Sequence, residues 1–235
     1  IFIANNAHII TDAHLEEDRK DTTIGTTKQG NGPAYRDKYD RQGTLASEAL
    51  VGTPYLIDLY RELHETDEEV VILCEGAQGF GLDIDWGDYP FVTSSHCTVG
   101  SAILNGIPPQ SIRDVWGVAK AYETYVGAKS FEQDNPIFSK IREYGKEYGA
   151  TTGRDRQCGW LELPFLEKSI KVNGVNKVVF NKMDILEEIN AWAIKRKKNS
   201  YELFHNREEF ERFFKFKMKK WGVDKVYFSD SPETI

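Results

Sequence analysis

Two six-residue runs, VNKVVF at residues 175–180 and VDKVYF at 223–228, constrain this chain more than any other feature. Both are rich in Val and Phe/Tyr, and the first reads as a strand buried on both faces. Between them lies a helix that the sequence marks clearly. Asn206 can cap it, Glu209 completes a capping box, and Phe210, Phe213, Phe214, Met218 and Trp221 share one face. Gly222 stops it. An aromatic stripe at helical spacing is core packing rather than a cofactor site. Strands followed by helices, with polar loops at the strand ends, predict an α/β fold whose ligands lie beyond the carboxyl ends of the strands.

The same reading extends along the chain. It predicts a short strand near Phe2 and Ile3 and a glycine-rich segment at 25–32. A helix is expected over 53–60, with Thr53 as N-cap and Pro54 at its first position. VVIL at 70–73 reads as a second buried strand. Helices are expected over 112–122, 137–148 and 163–172, the last ended by Asn173-Gly174.

Composition narrows the function. With 235 residues, 40% hydrophobic and 29% charged, the chain has the profile of a soluble globular protein. Its net charge of −7 argues against a nucleic-acid partner, which needs a clustered basic face. The one basic run, 195–198, reads as a solvated loop. Three scattered cysteines, Cys74, Cys97 and Cys158, suggest neither a disulfide framework nor a zinc site, and fit a reducing cytoplasm. No apolar run approaches the roughly 18 residues of a membrane span, so no membrane is implied. The N-terminus has no signal-peptide pattern and opens without Met on a strand-like run, as if inside a longer protein.

Four loops can carry chemistry. GTTKQGNGPAY, 25–35, joins three glycines to two adjacent hydroxyls that can converge on an anion, or is a plain glycine-rich turn. ATTGRDRQCGW, 150–160, offers Arg154 and Arg156 to carboxylate or phosphate, or holds surface charge paired with Asp155. FNKMD, 180–184, sits at a strand end with the N-K-x-D pattern that reads guanine, or matches by chance. The long loop 74–100 supplies Gln78 and the hydroxyl cluster Thr93-Ser94-Ser95. Its acids Glu75, Asp83, Asp85 and Asp88 suggest metal ligands, but turn carboxylates accepting backbone N–H groups are the commoner case. His96 reads as structural.

In this order the segments GTTxxGxGPAYxDKxxRxG, EGAQGxxLDIDxGxYPxVTSS, GATTGRxRxxGWLxL and a later K-x-D strand end resemble the adenylosuccinate synthetase family over most of the chain. The resemblance implies one α/β domain over 1–235, with a mostly parallel central sheet flanked by helices, P-loop NTPase-like, working as a homodimer. It also implies a reaction: GTP phosphorylates the 6-oxygen of a purine monophosphate, normally IMP, and the amine of L-aspartate displaces the phosphate. Thr27 and Thr93 match residues on the 5′-phosphate, and Arg41 one that reaches it from the other subunit. Gln78 matches the glutamine near the purine 6-position, and Val126 a backbone contact to ribose. Thr151 and Thr152 match the aspartate site, Arg154 a bridge between ribose and aspartate, and Arg156 a partner at the aspartate and donor-nucleotide sites. Lys182 and Asp184 match the pair that reads the donor base, and Ser229 the start of the last base-binding loop.

The family's N-terminal phosphate-binding loop is absent from these residues. The chain therefore reads as the C-terminal two-thirds of such an enzyme, inactive alone, with Mg2+ ligands in the missing segment and no metal ligand of its own. Departures fall on the nucleotide pockets: YVGAKSFEQD at 125–134 and Ser229-Asp230-Ser231-Pro232 replace the family's sequences. They leave room for a phage-type relative that joins aspartate to dGMP using ATP, in host cytoplasm if viral, while the absent loop leaves room for a binding fragment without catalysis.

Overall fold

The structure is a computed structural model and describes residues 1–131, 134–149 and 153–234. The chain forms two compact units, residues 1–112 and 113–235.

In the first unit, β1 (Ile3–Ala4) runs parallel to a later strand, with three helices between them. α1 (Asp12–Lys20) starts at Thr11, whose hydroxyl accepts from the His14 N–H while His14 Nδ1 accepts from the Thr11 N–H. α2 (Asn31–Asp40) packs on α1, where His14 Nε2 meets Asp37 Oδ2 at 3.0 Å. α3 (Ala46–Ala49) and β2 (Leu56–Ile57) follow, and β2 pairs with β1.

The helix expected over 53–60 starts later. Leu56 and Ile57 are taken by the ladder to β1, and Asp58 caps α4 (Leu59–His64) by accepting from the Tyr60 and Arg61 N–H groups. VVIL at 70–73 is neither a strand nor buried: Val71 is 99% exposed and Leu73 89%. A buried parallel strand needs neighbours on both edges and cover on both faces. The only ladder of named strands described in this unit is two residues long. A long loop with one 3-10 turn (Phe80–Leu82) leads to α5 (Gly100–Leu104).

The second unit holds two sheets. β3 (Trp116–Lys120), β6 (Lys177–Asn181) and β9 (Lys225–Phe228) form an all-parallel sheet in the order β3-β6-β9. β4 (Tyr122–Tyr125), β5 (Gln157–Glu162), β7 (Trp192–Lys197) and β8 (Ser200–Phe204) form a mixed sheet in that order, with β5 and β7 parallel. The crossovers are α6 (Pro136–Gly145), α7 (Leu163–Asn173), α8 (Met183–Glu188) and α9 (Arg207–Lys220). The α/β class is as the sequence predicts.

The helix expected over 112–122 is instead β3 and the start of β4. Gly117 costs a helix interior about 1 kcal/mol. In the sheet it has a use: a Cβ there would lie 3.0 Å from Val175 Cγ1, so its absence lets the neighbouring chain close in. α6 ends at Gly145, before Tyr148, because Lys146 turns left-handed with φ +51°. α7 ends at Gly174 as expected, with φ +61°. The basic run 195–198 is no free loop. Lys195 bonds Glu162 at 2.6 Å and Arg196 pairs with Glu202, both on adjacent strands.

α9 follows the sequence closely. Asn206 Oδ1 accepts from the Glu209 N–H at 3.0 Å, while the Glu209 carboxylate reaches back to the His205 N–H, one residue earlier than a standard capping box. Phe210, Phe214 and Met218 are fully buried, and Phe214 lies 4.5 Å from the Phe180 ring of β6. Truncating Phe214→Ala is expected to cost about 3–5 kcal/mol, read as a lower urea midpoint at unchanged slope.

Glu123, on β4, is the unusual charge of this unit. Burial, joined by the charge of Glu162, raises its pKa to about 7, against the pull of the Glu162 N–H and Lys195. The folded state then keeps a proton that the unfolded chain releases near its ordinary value of 4.5. Stability from this group is therefore full in acid and lost as pH rises from about 4.5 to about 7. Glu123→Gln is expected to be near neutral at pH 5 and to stabilise by about 1–3 kcal/mol at pH 8, measured by denaturation at the two pH values.

Candidate active site

In the first unit a buried acid organises the glycine-rich segment. Asp18 accepts from Thr26 Oγ1 and from the Gly30 N–H, both at 2.8 Å, and Asp21 accepts from the Thr23 and Ile24 N–H groups. The Thr23 bond, more than any other cause, holds the Asp21 carboxyl below its ordinary range. Lys28 donates to the Asp21 carbonyl. The adjacent hydroxyls are thereby told apart. Thr26 is consumed by the scaffold, while Thr27 is exposed.

Gly30 then turns left-handed, with φ +77°, to start α2. A Cβ there would fall 2.7 Å from Ile10 Cγ2. α2 begins with no side-chain cap, so its first-turn N–H groups and the positive end of its dipole face outward. The second hydroxyl cluster lies beside them. A Cβ on Gly32 would lie 3.6 Å from Ser94 Oγ, which places Thr93-Ser94-Ser95 beside the start of α2.

The loop that carries Thr93 is built on Asp83. This carboxylate is fully buried; Oδ1 accepts from the Asp85 and Trp86 N–H groups and Oδ2 from Cys97 at 2.6 Å. Burial pushes its pKa up, and the three backbone donors, Cys97 foremost, outweigh it and hold it low. The Thr93 N–H donates to the Leu82 carbonyl at 2.8 Å. Gln78, exposed, sits at φ +58° in the same loop. Arg41 closes α2 at φ +62°, exposed and without an ion-pair partner among the described residues.

Asp83, Asp85 and His96 hold ligand atoms within 4.8 Å of one another. The group does not fit Mg2+, which takes six oxygens in near-octahedral geometry. Asp83 already serves three N–H donors and His96 Nδ1 lies 3.4 Å from Asp85. The acids of this loop are scaffold where the structure assigns them a role.

In the second unit the loop before β5 is closed by the Gly149 N–H on the Arg154 carbonyl at 2.8 Å and by a bridge between Tyr148 and Asp155. Thr151 and Thr152 lie outside the described residues. Burial raises the Tyr125 pKa, and the Lys129 N–H and then the charge of Arg154 act against it. Arg156 does not pair with Asp155. Its Nη1 bonds Glu147 Oε2 at 2.8 Å, and its carbonyl accepts from Arg142 Nε.

Lys182, Asp184 and Ser229 come together at the carboxyl ends of β6 and β9. Lys182 turns left-handed at φ +63° and donates to the Gly145 carbonyl at 3.2 Å. The Ser229 N–H donates to the Phe180 carbonyl at 2.8 Å, and its own carbonyl accepts from Met183. Asp184 Oδ1 and Asn181 Oδ1 are buried with no donor among the described residues. Buried acceptors without partners are rare, and two at one strand end suit a ligand that brings N–H groups. Of the altered last loop, Asp230 is tied to Arg207 at 2.8 Å and Ser231 accepts from Ser229 Oγ.

Sequence reasoning missed Asp18, Lys120, Tyr122, Glu147 and Gln157, the residues that hold these loops. Gln157 clamps the altered 125–134 segment through the Phe131 N–H and the Lys129 carbonyl. Its place directly after the two arginines was the only signal. Gly87 is equally structural: a Cβ would meet the Gly81 and Asp83 carbonyl oxygens at 2.5 Å. Gly87→Ala is expected to destabilise by about 1–3 kcal/mol and to open the 80–97 loop, seen as faster proteolytic cleavage within it.

The chain has measurable relatives. The sequence profile of the adenylosuccinate synthetase family matches residues 1–52 and 46–220. The adenylosuccinate synthetase of Caldicellulosiruptor saccharolyticus is 36% identical, in a match that covers 77% of this chain and 54% of that protein. That of Halothermothrix orenii is 37% identical, covering 79% and 56%. The chain thus spans about half the length of the curated relatives it matches. Among solved structures, fully ligated adenylosuccinate synthetase from Plasmodium falciparum superposes with a TM-score of 0.82 at 25% identity, covering 98% of this chain and 76% of that one. The succinoaminodeoxyadenylate synthetase of cyanophage S-2L, bound to dGMP and dATP, superposes at 0.65 with 21% identity, covering 92% and 72%, a likeness of fold. On the profile match and these identities, the chain belongs to the adenylosuccinate synthetase family.

Proposed function

We propose that the protein containing this chain joins L-aspartate to the 6-position of a purine nucleoside monophosphate, IMP, at the expense of GTP. The observation that carries the reading is the uncapped start of α2 beside the Thr93-Ser94-Ser95 hydroxyls, an anion site that suits a 5′-phosphate. Thr27 and Thr93 would hold that phosphate, with Arg41 reaching it from a second subunit of a homodimer. Gln78 would lie at the purine 6-position and the Val126 backbone at the ribose.

In the reaction the purine N1 gives up its proton, the 6-oxygen takes the terminal phosphoryl group of GTP, and GDP leaves. The aspartate amine then forms the new C6–N bond, and phosphate leaves with the C6–O electron pair while the amine sheds its proton. Thr151, Thr152, Arg154 and Arg156 would hold aspartate, and Arg156 would also face the donor. Lys182, Asp184 and Ser229 would hold the donor base. The unpartnered Asp184 Oδ1 supports guanine there, because guanine presents N1–H and a 2-amino group. Mg2+ belongs to the same proposal, with ligands outside these residues, as does one α/β domain over 1–235 that forms part of a longer cytoplasmic enzyme. No helix among the described residues is long and apolar enough to cross a membrane.

The relatives at 36–37% identity are named adenylosuccinate synthetase, whereas the phage enzyme bound to dGMP and dATP supports only the fold. The whole gene product, given aspartate and Mg2+, is expected to consume IMP with GTP and to leave dGMP with ATP unused. The reverse preference, or binding without turnover, would overturn the reading. In the same assay Arg41→Leu is expected to raise the KM for IMP about 10–100-fold, the worth of a charge-assisted phosphate contact.

A further inference from the structure

Glu147, in the second unit, is a buried carboxylate, its side chain 2% exposed. Oε1 accepts from Tyr122 Oη at 2.7 Å and from Lys120 Nζ at 2.8 Å; Oε2 accepts from Lys120 Nζ at 2.7 Å and from Arg156 Nη1 at 2.8 Å. Its backbone repeats the tie, since the Arg156 N–H donates to the Glu147 carbonyl at 3.0 Å. Burial pushes the Glu147 pKa up, and Lys120, Tyr122 and Arg156 outweigh it, so the group is ionised at neutral pH. Burial also lowers the Lys120 pKa, against the attraction of Glu147.

Two cations share this one anion. Arg156, 31% exposed, uses Nη1 on Glu147, and a guanidinium carries five N–H donors in a fixed fork. The cluster thus presents surplus positive charge at Arg156 and orients it. The adjoining turn is as tightly set. A Cβ on Gly145 would fall 2.5 Å from Tyr122 Oη, and the Gly145 carbonyl takes Lys182 Nζ at 3.2 Å.

We infer that Glu147 is a positioning residue which orients Arg156 toward the anionic groups of the donor nucleotide and of aspartate, with Lys182 held by the same turn. The inference rests on the function proposed above for Arg156. Two variants of the whole gene product separate positioning from mere support of the core. Glu147→Gln keeps the shape but removes the charge that holds Arg156. Tyr122→Phe removes a hydrogen bond from the same carboxylate and leaves the Arg156 pair.

Glu147→Gln is expected to raise the KM for GTP and for aspartate about 10-fold or more, while Tyr122→Phe lowers the melting temperature with both KM values within about 2-fold. Should Glu147→Gln fail to fold, Glu147→Asp, which keeps the charge on a shorter arm, is expected to give a smaller rise in the same two constants. The Arg156 guanidinium Nη1–H resonance, assigned by its loss in Arg156→Lys, is expected to exchange slowly in the parent protein and fast in Glu147→Gln or Glu147→Asp. Unchanged KM values in a folded Glu147 variant, an equal KM rise in Tyr122→Phe, or an unchanged Arg156 resonance would each overturn the inference. If the parent protein does not turn over IMP and aspartate, the proposed function fails, and the Arg156 resonance alone decides the role of Glu147.

Discussion

The candidate loops depend on carboxylates buried beneath them. Asp18 fixes the glycine-rich segment, Asp83 the loop that bears Thr93, and Glu147 the approach to Arg156. The reason is general. A loop without a ladder leaves its N–H groups unpaired, and pairing them with water would let the chain wander. One carboxylate has about four lone-pair sites and can replace several backbone partners at once. Asp83 does so for three N–H groups, and its ionised form is held by those donors against the cost of burial. Removing such an acid strands its donors, which is why these positions carry more of the architecture than the exposed residues they serve.

The sequence made the periodic elements legible. α9 was readable because its apolar face, cap and terminal glycine agree with one another, and α7 because Gly174 ends it. β3 was not. Its Trp-Gly-Val-Ala-Lys alternates weakly, and what makes it a strand is the five-residue register with β6, a contact some sixty residues away in sequence. β5, β7 and β8 were unread for the same reason: pairing, rather than local propensity, sets them. The run VVIL shows the opposite failure. Its propensity is clear, yet without strands and cover beside it a β-prone segment stays an exposed loop.

For the site, residue types were legible and their division of labour was not. Thr26 and Thr27 look equivalent on paper, and only the distance from Thr26 Oγ1 to Asp18 shows which is committed to the scaffold. Glu147 cannot be told from Glu143 in the stretch IREYGKEYG, although one is buried under three donors and the other lies in a helix turn. Motif resemblance singles out residues that would touch ligands. The residues that hold them in place are found by burial and hydrogen bonding.

These arrangements also explain how a chain of net charge −7 can suit anionic ligands. Net charge governs long-range attraction, whereas a binding site responds to what lies within about a Debye length, near 10 Å. Asp18, Asp83 and Glu147 spend their charge inward on backbone and side-chain donors. What faces outward at the same places is a helix start without a cap, an Arg41 without an ion-pair partner among the described residues, and an Arg156 with more donors than its one carboxylate consumes. The acids count in the total and are neutralised locally, so the positive groups set the potential where the loops open. An acidic protein built this way repels polyanions over its surface and still presents positive groups at defined points that would suit single phosphates and carboxylates.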